Sequence, residues 1–293
     1  MTLQLKSKNL KVEISQPGHI YSEQRFDWLG IVVQVCLNGN HTFCAYENNI
    51  PTLGTGGIGL CNCVIQVEKS NYDITPVGGK YFSIGVGEIT RPDDGPYLFN
   101  RRDMEIKPFP TKITQSENEI VFEQESSECN GFKYQLKRTL TVENNTLSIC
   151  SYLKNTGGKP INTAEYNHNF ICIDGNTINA DYLLDLPYTP AIDGGENDFD
   201  VMKNALSLKK ERENDEFFCM VNGIEYSGEH FWQLTHKPSC VSIRETNDFP
   251  VNKFGIWGRS HTFCPETYAE INLEPGQDME WKRRYEFKAS EIS

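Results

Sequence analysis

At 293 residues and 38% hydrophobic side chains, the chain is long enough to bury a sizeable core, and no apolar run nears the ~18–20 residues of a membrane-spanning helix. Its 40 acidic and 28 basic side chains give a formal net charge of -12, which argues against a nucleic-acid face but leaves room for a local basic pocket around a small phosphate. The ten cysteines form no C-x-x-C pair, and their spacing with the histidines fits no common metal-ligand pattern, so they read as reduced, buried thiols and no metal is expected.

The opening "MTLQLKSKNLKVEISQPG" lacks the apolar stretch and small-residue cleavage site of a signal peptide, and a cytoplasmic protein is expected. "LKVEISQPGH" alternates and turns at Pro17-Gly18. "WLGIVVQVCLNGNHTFCAY" holds two apolar runs joined by "NGN", a hairpin signal. "DITPVGGKYFSIGVGEIT" mixes β-branched and aromatic residues with glycines that suggest bends. Residues 112–157 read as a four-strand meander broken at "SENE", "CNG", "ENN" and "NTGG". "NDFDVMKNALSLKKEREND", residues 197–215, is the best helix candidate, with an extended loop as its alternative. "HFWQLTH", "CVSIRET", "KFGIWG", "AEINLEPG" and "MEWKRRYEFKA" return to strands. No repeat or linker divides the chain. One all-β domain over residues 1–293 is expected, a large antiparallel β-sandwich with few short helices, because open twisted sheets rarely stay single beyond ~10 strands.

The stretch "AEYNHNFICID", Ala164 to Asp174, spends the centre of a predicted strand on an imidazole and two amides. Strand alternation sends Tyr166, His168 and Phe170 to one face and Glu165, Asn167, Asn169 and Ile171 to the other. If the first set lines a cavity, His168 lies between two aromatic walls, an arrangement that suits the apolar faces and hydroxyl edges of a sugar. A core histidine with both nitrogens satisfied gives the same pattern. In "RSHTFCPETYAEINLEPGQ", Pro265 directly precedes Glu266 and removes a backbone donor, so Glu266 is placed where a strand opens towards a cleft; a surface carboxylate is the alternative. His261 lies five residues earlier. Arg25, beside Phe26 and Trp28, and Arg101 and Arg102, after Tyr97 and Phe99, are either solvated strand ends or guanidinium forks for ligand hydroxyls.

With "NHNF" (Asn167, His168, Phe170) joined by a late "FCPET" (Cys264, Glu266, Thr267), the sequence resembles the galactose mutarotase-like superfamily, the aldose 1-epimerases and their relatives, over roughly residues 10–288. Those proteins carry a histidine in a motif like N-H-x-x-F and, later, a glutamate in a motif like G-x-C-L-E-T. The resemblance implies an isomerase of carbohydrate metabolism that interconverts α and β anomers without a cofactor, with Glu266 as base for O1–H and His168 as acid for the ring oxygen. It implies a sugar or sugar phosphate as partner. Beside this pair stand the substrate-binding candidates Arg25, Arg101, Arg102, Tyr166, Asn167, Asp174 and His261. Relatives carry a further active-site histidine near the N-terminus, after a G-R-x-x-N-R motif; neither is found at residues 80–110, and His41 is a poor substitute. Arg101 and Arg102 are the candidates for the sugar-clamping arginine, although no motif aligns them with it. That gap favours one alternative, a non-catalytic carbohydrate-binding module; a hexose-6-phosphate epimerase, and a hydrolase or lyase on the same scaffold, for which Glu266 is the one strong carboxylate, also stay open because one fold hosts several chemistries. A carboxylate beside His168 is expected to raise its pKa. The oligomeric state is not set by the sequence.

Overall fold

The computed structural model describes residues 2–48, 55–65, 67–102, 104–210, 215–224 and 230–290. Two antiparallel sheets carry most of these residues, with strands numbered here in chain order. The first runs, in spatial order, β1 (Thr2–Lys6), β2 (Leu10–Ser15), β3 (Val32–Leu37), β5 (Leu60–Ile65), β13 (Ile161–Asn169), β22 (Thr262–Leu273), β21 (Phe254–Arg259), β18 (Phe217–Asn222) and β15 (Ala191–Asp193), with β4 (His41–Thr42) paired to β3. The second runs β16 (Phe199–Met202), β17 (Ala205–Leu208), β14 (Tyr182–Asp185), β19 (Phe231–His236), β20 (Val241–Asn247), β23 (Asp278–Ala289), β12 (Thr146–Asn155), β11 (Tyr134–Glu143), β10 (Glu119–Glu125) and β9 (Thr111–Gln115). A small sheet of β6 (Lys80–Ser83), β7 (Gly87–Thr90) and β8 (Ile106–Pro108) flanks them.

Alternation explains the layering. On β11, Tyr134, Leu136, Arg138, Leu140 and Val142 are buried while the intervening residues are exposed or half-buried. The main core lies between the sheets. The β3–β4 turn takes Asn38 and Gly39 at positive φ (54° and 73°), as the "NGN" signal requires, because the twist of the two strands needs both central residues left-handed. The 112–157 meander forms as β9 to β12, and the five late strand segments as β19 to β23.

The helix expected at 197–215 does not form: Phe199–Met202 and Ala205–Leu208 pair as a hairpin, and residues 211–214 lie outside the described set. Its buried residues, Phe199, Leu206 and Leu208, follow strand spacing and complete the edge of the second sheet, which outweighs a weak helical propensity. The described α-helix is instead Val67–Asp73, which carried no sequence signal strong enough to stand out. No helix among the described residues is long and apolar enough to cross a membrane.

Charges also cross the sandwich. Asp27, Glu165 and Glu245 on the first sheet's side and β20 meet Arg138 and Arg283 from β11 and β23, all five buried. Arg138 reaches Asp27 at 2.6 Å, and Arg283 reaches Glu165 at 2.6 Å. Burial raises the Asp27 pKa against the pull of Arg138.

Candidate functional site

The site forms where neighbouring strands of the first sheet part. The ladder between β13 and β22 runs from Ile161–Leu273 to Tyr166–Tyr268, then breaks, and resumes as a single bridge at Ile171–Phe263. The same register sets His168 opposite Glu266. At the break β13 stays paired to β5, with His168 against Cys61, and β22 stays paired to β21, with Glu266 against Gly255. Pro265 sits in the gap and has no N–H to donate across it.

Two asparagine side chains bridge the gap. Thr267 N–H donates to Asn167 Oδ1 at 3.0 Å, and Asn169 Nδ2 donates to the Pro265 carbonyl at 2.9 Å. The amides thus satisfy the backbone groups that the broken ladder leaves, which accounts for a strand centre built from asparagines rather than valines.

On the other face of β13 and β22, away from the second sheet, His168 Nδ1 lies 2.9 Å from Glu266 Oε1, both side chains nearly buried. Arg25 approaches His168 Nε2 at 3.1 Å and Thr55 Oγ1 at 2.7 Å. Since a guanidinium can only donate, Nε2 accepts, and the ring proton belongs on Nδ1, directed at the carboxylate. His168 stacks on Phe170 (centroids 5.5 Å, 12° between planes), and Tyr166 stacks on Tyr268 (4.6 Å, 3°). Arg25 lies between the rings of Phe26 and Phe99. These groups open onto a cavity of about 490 Å³, further lined by Glu47, Asn48, Asn100, Glu216, Phe218, Trp257 and Arg259. Aromatic walls around a few converging polar groups are what a small polar ligand with apolar faces requires.

The His168 pKa is lowered, not raised as expected: burial is the largest cause, and Arg25 adds to it, together outweighing Glu266. Burial, then the Glu266 carboxylate, push the Cys264 thiol well above its ordinary value, so it is a protonated donor towards Glu266 Oε1 at 3.6 Å. His168, Cys264 and Glu266 bring three possible metal ligands within 4.8 Å, a cluster that sequence spacing did not reveal. A metal on Nδ1 would, however, place the remaining ring proton on Nε2, facing the Arg25 guanidinium donor to donor. The arrangement suits a shared proton better than a cation.

Of the other sequence candidates, Arg25 and Tyr166 line the cavity. Five are placed elsewhere. Asn167 faces the sandwich interior, as its strand parity dictates, and bonds Glu245, Tyr285 and Thr267. Asp174, at φ 54° in the 3-10 turn Ile173–Gly175, caps the β4 hairpin through His41 and Thr42. Arg101 pairs with Asp93 and Arg102 with Glu23, both at the surface and outside the cavity lining. His261 does not line the cavity either; its Nε2 lies 3.1 Å from the carbonyl of Glu47. Among the residues not singled out from sequence, Tyr268 was accessible by alternation, two residues past Glu266 on the same face. Glu47, Glu216 and Arg259 arrive from separate segments and carry no local signal.

No family model matches the sequence, and no curated protein matches it. Solved structures do match. A galactose mutarotase-like protein from Lactobacillus casei superposes with a TM-score of 0.64 at 16% identity, over 98% of this chain and 100% of that one. A galactose mutarotase related enzyme from Lactobacillus acidophilus gives 0.61 at 15%, over 99% and 98%. An aldose epimerase homologue from C. elegans gives 0.60 at 13%, over 99% of each chain. The molecule is a large antiparallel β-sandwich with a buried histidine–glutamate pair set in a cavity on one sheet. Its fold is that of the galactose mutarotase-like and aldose 1-epimerase-related proteins.

Proposed function

We propose that the protein interconverts the α and β anomers of an uncharged aldose. The observation that carries this reading is the 2.9 Å contact between His168 Nδ1 and Glu266 Oε1 in an aromatic-walled cavity. Ring opening needs one group to take the O1 proton as the C1–O5 bond breaks and another to protonate O5; rotation about C1–C2 and the reverse steps then close the other anomer. Glu266 is the base. His168 is the acid, and for that role its imidazole must carry protons on both nitrogens. Arg25 holds Nε2 in the structure. A sugar that draws the guanidinium onto its hydroxyls frees Nε2 for the second proton, so binding energy is used to arm the acid.

The charge of the lining favours an uncharged sugar over a sugar phosphate. Arg25 stands 3.8 Å from Glu47, and Arg259 is paired with Glu216 at 2.5 Å. With Glu266, three carboxylates face two guanidiniums. A phosphate would meet a lining whose positive charge is already matched.

The lowered His168 pKa and the occupied Nε2 favour a second reading, a carbohydrate-binding module without turnover. Freshly dissolved α-D-glucose and α-D-galactose, followed by polarimetry or NMR, separate the two. The proposal expects anomerisation above the spontaneous rate with wild type and none with Glu266→Gln. Sugar binding by calorimetry without faster anomerisation would leave the binding module.

A further inference from the structure

We propose that Glu245 is a positioning residue for the His168–Glu266 pair, acting through the amides of Asn167 and Asn169; the kinetic part of this inference rests on the anomerase reading. Glu245 belongs to β20 of the second sheet and is wholly buried. One carboxylate oxygen accepts from the side-chain amides of both Asn167 and Asn169, and the other accepts from Thr267 Oγ1 at 2.6 Å. An ionised carboxylate offers acceptors only, so it dictates which end of each amide points inward. With its Nδ2 committed to Glu245, Asn167 turns Oδ1 to the Thr267 N–H. Asn169 directs the same Nδ2 to Glu245 and to the Pro265 carbonyl.

Those two backbone groups flank Glu266 on either side. The amides therefore span the gap between β13 and β22 where no backbone ladder sets its width, and the width decides how far the Glu266 carboxylate stands from the imidazole opposite. Ordinary ladder bonds between the strands would satisfy the same backbone groups without burying any charge. Even with the Arg283 guanidinium 4.0 Å away, a buried carboxylate that keys two amides is costly by comparison, and the gap it holds open contains the acid–base pair. Orienting partners of this kind fix the geometry of the reacting groups without touching substrate.

The test compares Glu245→Leu, which removes the acceptors, with Glu245→Gln, which retains an oxygen for the amides. Folded content is checked by circular dichroism and rates are taken per folded molecule. Glu245→Leu is expected to lower kcat by about 10–100-fold with KM changed less than about twofold, and Glu245→Gln to recover most of the loss. A second readout is independent of turnover: nitrogen-15 NMR of the histidine rings should show a protected proton on His168 Nδ1 in wild type and its loss in Glu245→Leu. If Glu245→Leu does not fold, Asn169→Ala, which releases the Pro265 carbonyl, is measured by the same two readouts. Should wild type fail to anomerise sugars while the Nδ1 signal is still lost in the variant, the functional reading falls and the positioning role stands. A folded variant that keeps both the Nδ1 proton and kcat overturns the proposal.

Discussion

His168 and Glu266, separated by nearly a hundred residues of chain, bring an imidazole and a carboxylate to 2.9 Å across the one stretch where β13 and β22 lose their backbone ladder. The pair lines a cavity, with Arg25 on the far side of the ring. Its geometry sets the first expectations.

Glu266→Gln removes the proposed base with little change of shape, and His168→Asn removes the proposed acid. Each is expected to lower anomerisation by about 10²–10⁴-fold, to the spontaneous rate if the remaining partner cannot act alone. Polarimetry on fresh α-D-glucose measures this, and a rate unchanged in His168→Asn would take the imidazole out of the reaction.

Arg25→Gln should raise the His168 pKa, since the guanidinium is one of the groups that lower it. Histidine ring-proton NMR against pH reads the midpoint directly. An unmoved midpoint would leave burial to hold the imidazole neutral, and one moving down would overturn the part assigned to Arg25.

His230 gives a stability prediction. Burial lowers its pKa to about 4, and both ring nitrogens lack a hydrogen-bond partner among the described residues. The folded state therefore prefers the neutral ring, and below the unfolded value of 6.5 the unfolded chain binds the extra proton. Stability from this group is complete above about pH 6.5 and is lost as pH falls towards about 4, on the order of 3 kcal/mol in all. Urea unfolding at several pH values should show a flatter dependence in His230→Leu than in wild type; identical slopes would place the loss on other groups.

Arg138 is buried and compensates Asp27 at 2.6 Å across the sandwich. Arg138→Met leaves that carboxylate uncompensated and should cost about 3–5 kcal/mol, while the double variant with Asp27→Leu should cost less than the sum of the singles. Chemical denaturation of the three variants checks the coupling, and additive losses would rule it out.

Much of this molecule was legible along the chain. Period-two alternation located the meander and the late strands, and "NGN" located its hairpin, because these signals are local. Alternation also separated Tyr166 and His168 from Glu165 and Asn167. It failed at 197–215, where a charged stretch with sparse apolar residues looked helical until a neighbouring strand supplied the pairing. Arg101, Arg102 and Asp174 looked like ligand contacts because side-chain type is visible in a sequence and the surface partners that engage them are not.

By itself, then, the sequence determined the β-sandwich and the faces of its strands, since both follow from contacts between near neighbours and from which side chains avoid water. Tertiary structure alone decided that Glu47, Glu216 and Arg259 share a cavity with His168, that Glu245 reaches the asparagines from the opposite sheet, and that the imidazole is held neutral. The physical reason is that a proton's affinity depends on burial and on charges brought close in space, and neither is written in the spacing of residues along a chain.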